Sequence, residues 1–124
     1  MPVSRTAELF TLIGLMLHAS SAAAADWPQW RGPLLDGISQ ETDWSHDWPE
    51  SGPAIAWRAE VGIGYSSFAV VDNRVYTLGH TDGPETVFCF DAASGDVVWS
   101  HTYPAQLVNN LHDGGPGATP TVRE

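Results

Sequence analysis

Phe90-Asp91-Ala92-Ala93-Ser94-Gly95-Asp96-Val97-Val98-Trp99 packs the end of one strand, a tight turn and the start of a Trp-bearing strand into a single short run. The turn has a physical specification: the Asp91 carboxylate can accept backbone N–H bonds within the loop, and Gly95 can take the left-handed conformation that a Cβ penalises. Trp57 stands 42 residues before Trp99, and Ile55-Ala56-Trp57-Arg58-Ala59-Glu60-Val61 aligns with Val97-Val98-Trp99-Ser100-His101-Thr102-Tyr103. A Trp-centred strand that recurs after about 40 residues, with short strands and turns between, predicts an all-β fold of β-propeller type. The expected architecture is a partial β-propeller: about one complete four-stranded antiparallel blade plus strands of its neighbours.

Working outward, four short segments lie between the two tryptophans. Ser67 to Val71 and Arg74 to His80 flank Asp72-Asn73, a two-residue turn that tolerates positive φ and suits a hairpin. Tyr76 and Leu78 alternate with Val75 and Thr77 across the second strand. After the Thr81-Asp82-Gly83-Pro84 turn, Thr86 to Asp91 forms a third strand with Phe88 and Phe90 on one face, and Asp96 to Tyr103 a fourth with Val97, Trp99, His101 and Tyr103 on one side. The Ile55 to Val61 strand has no hairpin partner before it, so in a closed ring its partners would come from the far end of the chain.

The second period carries an insertion. Shifting the sequence by 52 pairs Gly62 with Gly114 and Val70 with Val122, and leaves an extra loop, Pro104 to Asp113, that holds Asn109, Asn110, His112 and Asp113. Loops at one end of a propeller often build its binding surface, which makes this loop the candidate functional segment.

Residues 1–25 read as a signal peptide: Arg5 gives a positive start, Leu9 to Leu17 an apolar core too short to span a bilayer, and Ser21-Ala22-Ala23-Ala24-Ala25 a small-residue cleavage site. Residues 26–54 form an irregular leader rich in Trp and Pro, with four of the six tryptophans, too apolar for a free linker and expected to lie against the propeller. Residues 55–124 are the start of the propeller. Ring closure takes about 4 to 8 blades, so the chain is expected to be the amino-terminal piece of a longer protein whose remaining blades complete the ring. The expected location is exported, either periplasmic or at the cell surface or secreted.

Losing Arg5 with Glu8 leaves the formal charge of −10 unchanged, and there is no lysine. So acidic a surface repels phosphate backbones and anionic lipid, which argues against nucleic-acid or membrane-surface binding, and no later stretch is long enough for a transmembrane span. The single Cys89, in the apolar run Val87-Phe88-Cys89-Phe90, reads as a buried small hydrophobe rather than a reactive thiol.

The run Asp91-Ala92-Ala93-Ser94-Gly95-Asp96-Val97-Val98-Trp99 resembles the tryptophan-docking motif of the pyrroloquinoline quinone (PQQ) repeat, usually Asp-Ala-x-Thr-Gly-Lys-x-x-Trp, with Ser94 in place of Thr and Asp96 in place of Lys. The leader Trp27-Pro28-Gln29-Trp30-Arg31-Gly32-Pro33 with Asp36-Gly37 is similar to the opening of exported PQQ-like propeller proteins of planctomycete-type bacteria. Such a resemblance implies a bladed ring, not an activity. Some members are quinoprotein dehydrogenases that hold PQQ with calcium on the propeller axis. Others, including the propeller lipoprotein of the outer-membrane β-barrel assembly machinery, bind protein partners and no quinone. This chain has neither an adjacent Cys pair nor a Cys-x-x-Cys-His run, and the resemblance carries over no catalytic residue, cofactor-binding residue or metal ligand. The expected function is an interaction scaffold with a protein partner and no cofactor in this segment. The alternative is the amino-terminal part of a PQQ-dependent dehydrogenase acting on a small alcohol or polyol with PQQ and calcium.

Other constellations are explained by turns and strands. Gly62-Ile63-Gly64 lacks the third glycine and the helix of a dinucleotide loop. His80, His101, His112 and Asp113 have no ligand spacing for zinc and read as surface or strand residues. Ser66-Ser67 lacks the Gly-x-Ser-x-Gly turn of hydrolases, and Asp82-Gly83 and Asp113-Gly114 read as turns rather than calcium loops. An aromatic carbohydrate-stacking patch in the leader is the remaining binding alternative.

Overall fold

The computed structural model describes residues 25–42, 44–108, 110 and 113–123. The signal-peptide reading therefore lies outside the described residues, as do Asn109 and His112 of the candidate loop. Among the described residues the protein is all-β, with one antiparallel sheet of four strands in chain order: β1 (Ala69–Val71), β2 (Arg74–His80), β3 (Pro84–Asp91) and β4 (Val97–Pro104). Among them no helix is long and apolar enough to cross a membrane.

Local chemistry sets each turn. Asp72 and Asn73 both have positive φ, 48° and 59°, and Val71 pairs with Arg74, which is the two-residue hairpin that matches strand twist. Asp82 and Gly83 turn β2 into β3 with φ of 48° and 127°. At the third turn the Asp91 carboxylate accepts from the backbone N–H groups of Ala93 (3.0 Å) and Ser94 (3.1 Å), and Gly95 has a φ of 76°. Arg74, at the start of β2, holds the other Asp91 oxygen at 2.6 Å.

The strand limits differ slightly from the expected ones. The first begins at Ala69 rather than Ser67, because Leu78 N–H donates to the Ser66 hydroxyl (3.3 Å) where a carbonyl would continue the ladder. The third begins at Pro84, which pairs with Pro104; a proline is tolerated at the first residue of a strand. The fourth carries a larger correction. A bulge opposite Cys89/Phe90 sets Val97 against Phe90 and Trp99 against Cys89, so Val97 and Trp99 fall on opposite faces rather than one. The extra residue, Val98, shifts the alternation.

The two faces are unequally covered. Thr77, Gly79 and Phe90 lie on one face, and the chain from Ile55 to Ile63 runs over it. The Trp57 ring stands 5.9 Å from that of Phe90, its indole N–H donates to Ala92 O (2.9 Å), and Ile63 exchanges two backbone bonds with His80. The expected strand Ile55 to Val61 has no ladder partner among the described residues; it covers the sheet instead of extending it. The opposite face carries Tyr76, Cys89 and Trp99 in one cross-strand row, with the Tyr76 and Trp99 rings 6.0 Å apart. Cys89 is buried there, as expected of a small hydrophobe, while Trp99 keeps 45% of its surface exposed.

The leader meets the sheet at one point. Trp27 exchanges both backbone bonds with Val70 (2.7 and 2.9 Å), and Asp26 accepts from Asp72 N–H. Pro28 O accepts from Val122 N–H at 2.9 Å, so the leader lies between β1 and the segment aligned with it 52 residues later. Gly32 sits under the Trp27 ring, where a Cβ would come within 2.8 Å of the indole. Trp30, Trp44 and Trp48 remain exposed, contrary to a leader lying wholly against the fold; Trp27 falls opposite the free edge of β1 and the others do not.

The Asp91 turn makes stability sensitive to acid. Backbone bonds from Ser94 and Ala93, aided by Arg74, hold the Asp91 carboxyl below its ordinary value of 3.8. A depressed carboxyl contributes stability that is present above its unfolded pKa and lost as pH falls through the folded one. Urea midpoints measured from pH 6 downward are expected to fall below the ordinary carboxylate value, and to fall less steeply in Asp91→Asn. Identical profiles would remove Asp91 as the acid-labile group.

Candidate functional site

The end of the sheet where β2 turns into β3 and β4 leaves it collects the chemically useful side chains. Register places His80 opposite Glu85 and Glu85 opposite Tyr103, so an imidazole, a carboxylate and a phenol form one cross-strand row on the Trp99 face. Tyr103 donates its hydroxyl proton to Glu85 Oε2 at 2.7 Å, and the His101 ring stacks on Tyr103 at 6.3 Å. The hydrogen bond to Glu85, then burial, then the carboxylate charge push the Tyr103 hydroxyl above its ordinary value of 10.0.

His80 is 5% exposed, and its Nδ1 is enclosed without a hydrogen-bond partner. A proton on Nδ1 would have no acceptor, so in the neutral ring it belongs on Nε2. The backbone of His80 is held on both sides, by Ile63 through N–H and C=O and by the continuing β2–β3 ladder.

Two adjoining cavities open beside this row. One, about 620 Å³, is lined by Pro84, Thr102, Tyr103 and Pro104. The other, about 630 Å³, is lined by Gly62, Ile63, His80, Thr81, Asp82 and Leu107. Gly83, Ala105 and Gln106 border both. Each is within the size range of ligand sites. No arginine lines either cavity.

Among the described residues, the loop singled out from sequence contributes its beginning, Pro104 to Leu107, to these cavities. Asn110 and Asp113 lie exposed, and neither lines them. His80 and His101 sit on separate strands whose pairing places Glu85 and Val87 between them. Among the described residues no group of three or more His, Cys, Asp or Glu is placed to hold a metal ion. Glu85 was absent from the sequence reading and Asp82 entered it only as a turn residue. Continuing the period of β2 and β3 through their hairpin would have set Glu85 opposite His80. What the arrangement offers is recognition: carboxylates for a cationic group, ring N–H for a carbonyl, and proline and tyrosine faces for an apolar side chain. Searches against family models, curated proteins and solved structures give no match to this chain.

Proposed function

We propose that the chain is part of an exported PQQ-like β-propeller repeat protein that acts as an interaction scaffold. The observation that carries this reading is the unequal fate of two aligned tryptophans. Trp57 lies on the Asp91–Gly95 turn of the following unit, so close that a Cβ at Gly95 would come within 2.5 Å of the indole, whereas Trp99 stands uncovered on β4. In a ring of such units each indole covers the next turn, and Trp99 awaits the corresponding turn of a neighbouring blade. The four antiparallel strands in chain order, joined by tight turns, support the blade reading, since a propeller ring is built of four-stranded sheets. The surface groove bordered by Asp82 is the feature that favours a binding role for the scaffold.

Full-length protein titrated with PQQ and calcium and assayed with an artificial electron acceptor tests the reading. No quinone spectrum and no acceptor reduction are expected; a bound-quinone spectrum with turnover would replace the scaffold by the dehydrogenase. The blade geometry makes a separate prediction. Residues 26–124 produced alone are expected to bind a hydrophobic dye and to aggregate through the open Trp99 face. A sharp, reversible melt of a monomer without dye binding would refute the need for a neighbouring blade.

A further inference from the structure

We propose that the exported protein is cut between Ala24 and Ala25 and that Glu41 captures the new amino terminus as an ion pair, latching the start of the leader to its own loop; the inference rests on the export part of the reading above. In the cut, water adds across the Ala24–Ala25 peptide bond in the site of a signal peptidase. The C–N bond breaks, a carboxylate stays on Ala24, and the freed nitrogen takes a proton to become the ammonium of Ala25. Two bonds in this run have the small residues such an enzyme needs one and three positions before the cut: Ala22 and Ala24 precede the first, Ala23 and Ala25 the second. Only the first leaves its terminus on the Ala25 nitrogen, and that atom lies 2.7 Å from Glu41 Oε1.

Both sides of this contact are held independently of it. On one side Asp26 accepts from Asp72 N–H at 3.2 Å and Trp27 exchanges two backbone bonds with Val70, so the chain is bound to β1 immediately after Ala25. On the other the leader turns back on itself. Gly37 N–H donates to Arg31 O (2.9 Å), the Arg31 guanidinium to Asp36 O (3.1 Å), Ile38 N–H to the Asp36 carboxylate (2.9 Å) and Glu41 N–H to the Ser39 hydroxyl (3.2 Å). The two sides close around a cavity of about 280 Å³ bordered by Ala25, Trp27, Leu34, Ile38, Glu41 and Val70. With the signal attached, the Ala25 nitrogen is an amide that has one hydrogen to give. After the cut it is an ammonium with three, and its bond to the Glu41 carboxylate joins two full charges. Because the pair is exposed, it acts on the chemistry of the amine more than on global stability.

The test uses the full-length protein carrying its own residues 1–24, expressed in a bacterial host and recovered after export. Trypsin cuts after Arg31, so the mass of the amino-terminal peptide identifies the cut, and Ala25–Arg31 is expected. A peptide that begins at Asp26 or at any other residue overturns the proposal and leaves export standing, whereas a chain that keeps residues 1–24 overturns both. The capture is read by brief acetylation of the native mature protein at neutral pH, scored on the same peptide, which has no lysine and so offers its α-amine alone. An opposite charge favours the protonated amine, which does not acylate. Glu41→Gln is therefore expected to react about threefold faster than the parent or more, and Glu50→Gln, which removes a carboxylate that does not border this cavity, at the parent rate. The melting temperature of each variant is the folding control. Equal rates for the parent and Glu41→Gln, or the same acceleration from both variants, overturn the capture. Neither readout involves the quinone titration, so the scaffold reading stands or falls separately.

Discussion

Replacing Gly79 by alanine is expected to lower the stability of the protein by about 3 kcal/mol or more. A Cβ at Gly79 would overlap the Val61 carbonyl oxygen and lie 2.6 Å from its carbon. That obstacle is backbone, which cannot step aside as the tip of a flexible side chain can. The strand would have to expel the segment around Val61, and with it the Ile63–His80 bridge of 3.0 and 2.8 Å. Each of those bonds is worth about 0.5–1.5 kcal/mol net, and the contact between segment and sheet is lost in addition. For a domain of this size each kcal/mol shifts the melting temperature by about 4–8 °C. Gly117 is the control: a Cβ there meets nothing within 4 Å, so Gly117→Ala should be neutral or slightly stabilising. Urea unfolding of both variants decides the matter, and a Gly79→Ala cost under 1 kcal/mol would mean that the segment does not lie on β2 as described. The consequence reaches the groove, since Ile63 is part of its wall.

The second large effect is expected at Trp57. Its replacement by alanine removes an indole packed on Gly95 and Phe90 and leaves Ala92 O without the N–H that it accepts at 2.9 Å. A fully buried Trp→Ala change costs about 3–5 kcal/mol; Trp57 is half-buried, which places the expectation at about 2–3 kcal/mol. Gly95→Ala should cost a similar amount for two separable reasons, steric overlap with the indole and a φ of 76° that a Cβ disfavours. The strain persists in the Trp57→Ala background and the overlap does not. The double mutant should therefore be less damaged than the sum of the single changes by about 1 kcal/mol, within the range measured for residues in contact. Strict additivity in chemical denaturation would show that the ring and the turn do not touch, and would remove the observation on which the proposed repeat of units depends.

Much of the architecture was legible because its determinants are local. Asp72-Asn73 has the residues a two-residue hairpin needs, and the Asp91–Gly95 run carries both its acceptor and its left-handed residue within itself. The alternation of β2 survives in the structure because its two neighbours pair with it in register. Val97 was misplaced for the converse reason: a bulge is a property of a pair of strands, and nothing in Val97-Val98-Trp99 alone states that the partner advances one residue while this strand advances two. Of the candidate loop's described side chains, Asn110 and Asp113 line neither cavity, whereas its first residues, 104–107, do, next to a row supplied by β2, β3 and β4.

The sequence by itself determined the alternation of β2 and the turns, because these depend on interactions between residues a few positions apart. Tertiary structure alone decided that Trp27 pairs with β1, that Trp57 lies over a turn 35 residues away while Trp99 does not lie over one, and that His80, Glu85 and Tyr103 share a row. The physical reason is that register and face-to-face covering are set by which strand edges and apolar surfaces remain unsatisfied once the local hairpins have formed, and that is a property of the assembled sheet rather than of any stretch of chain.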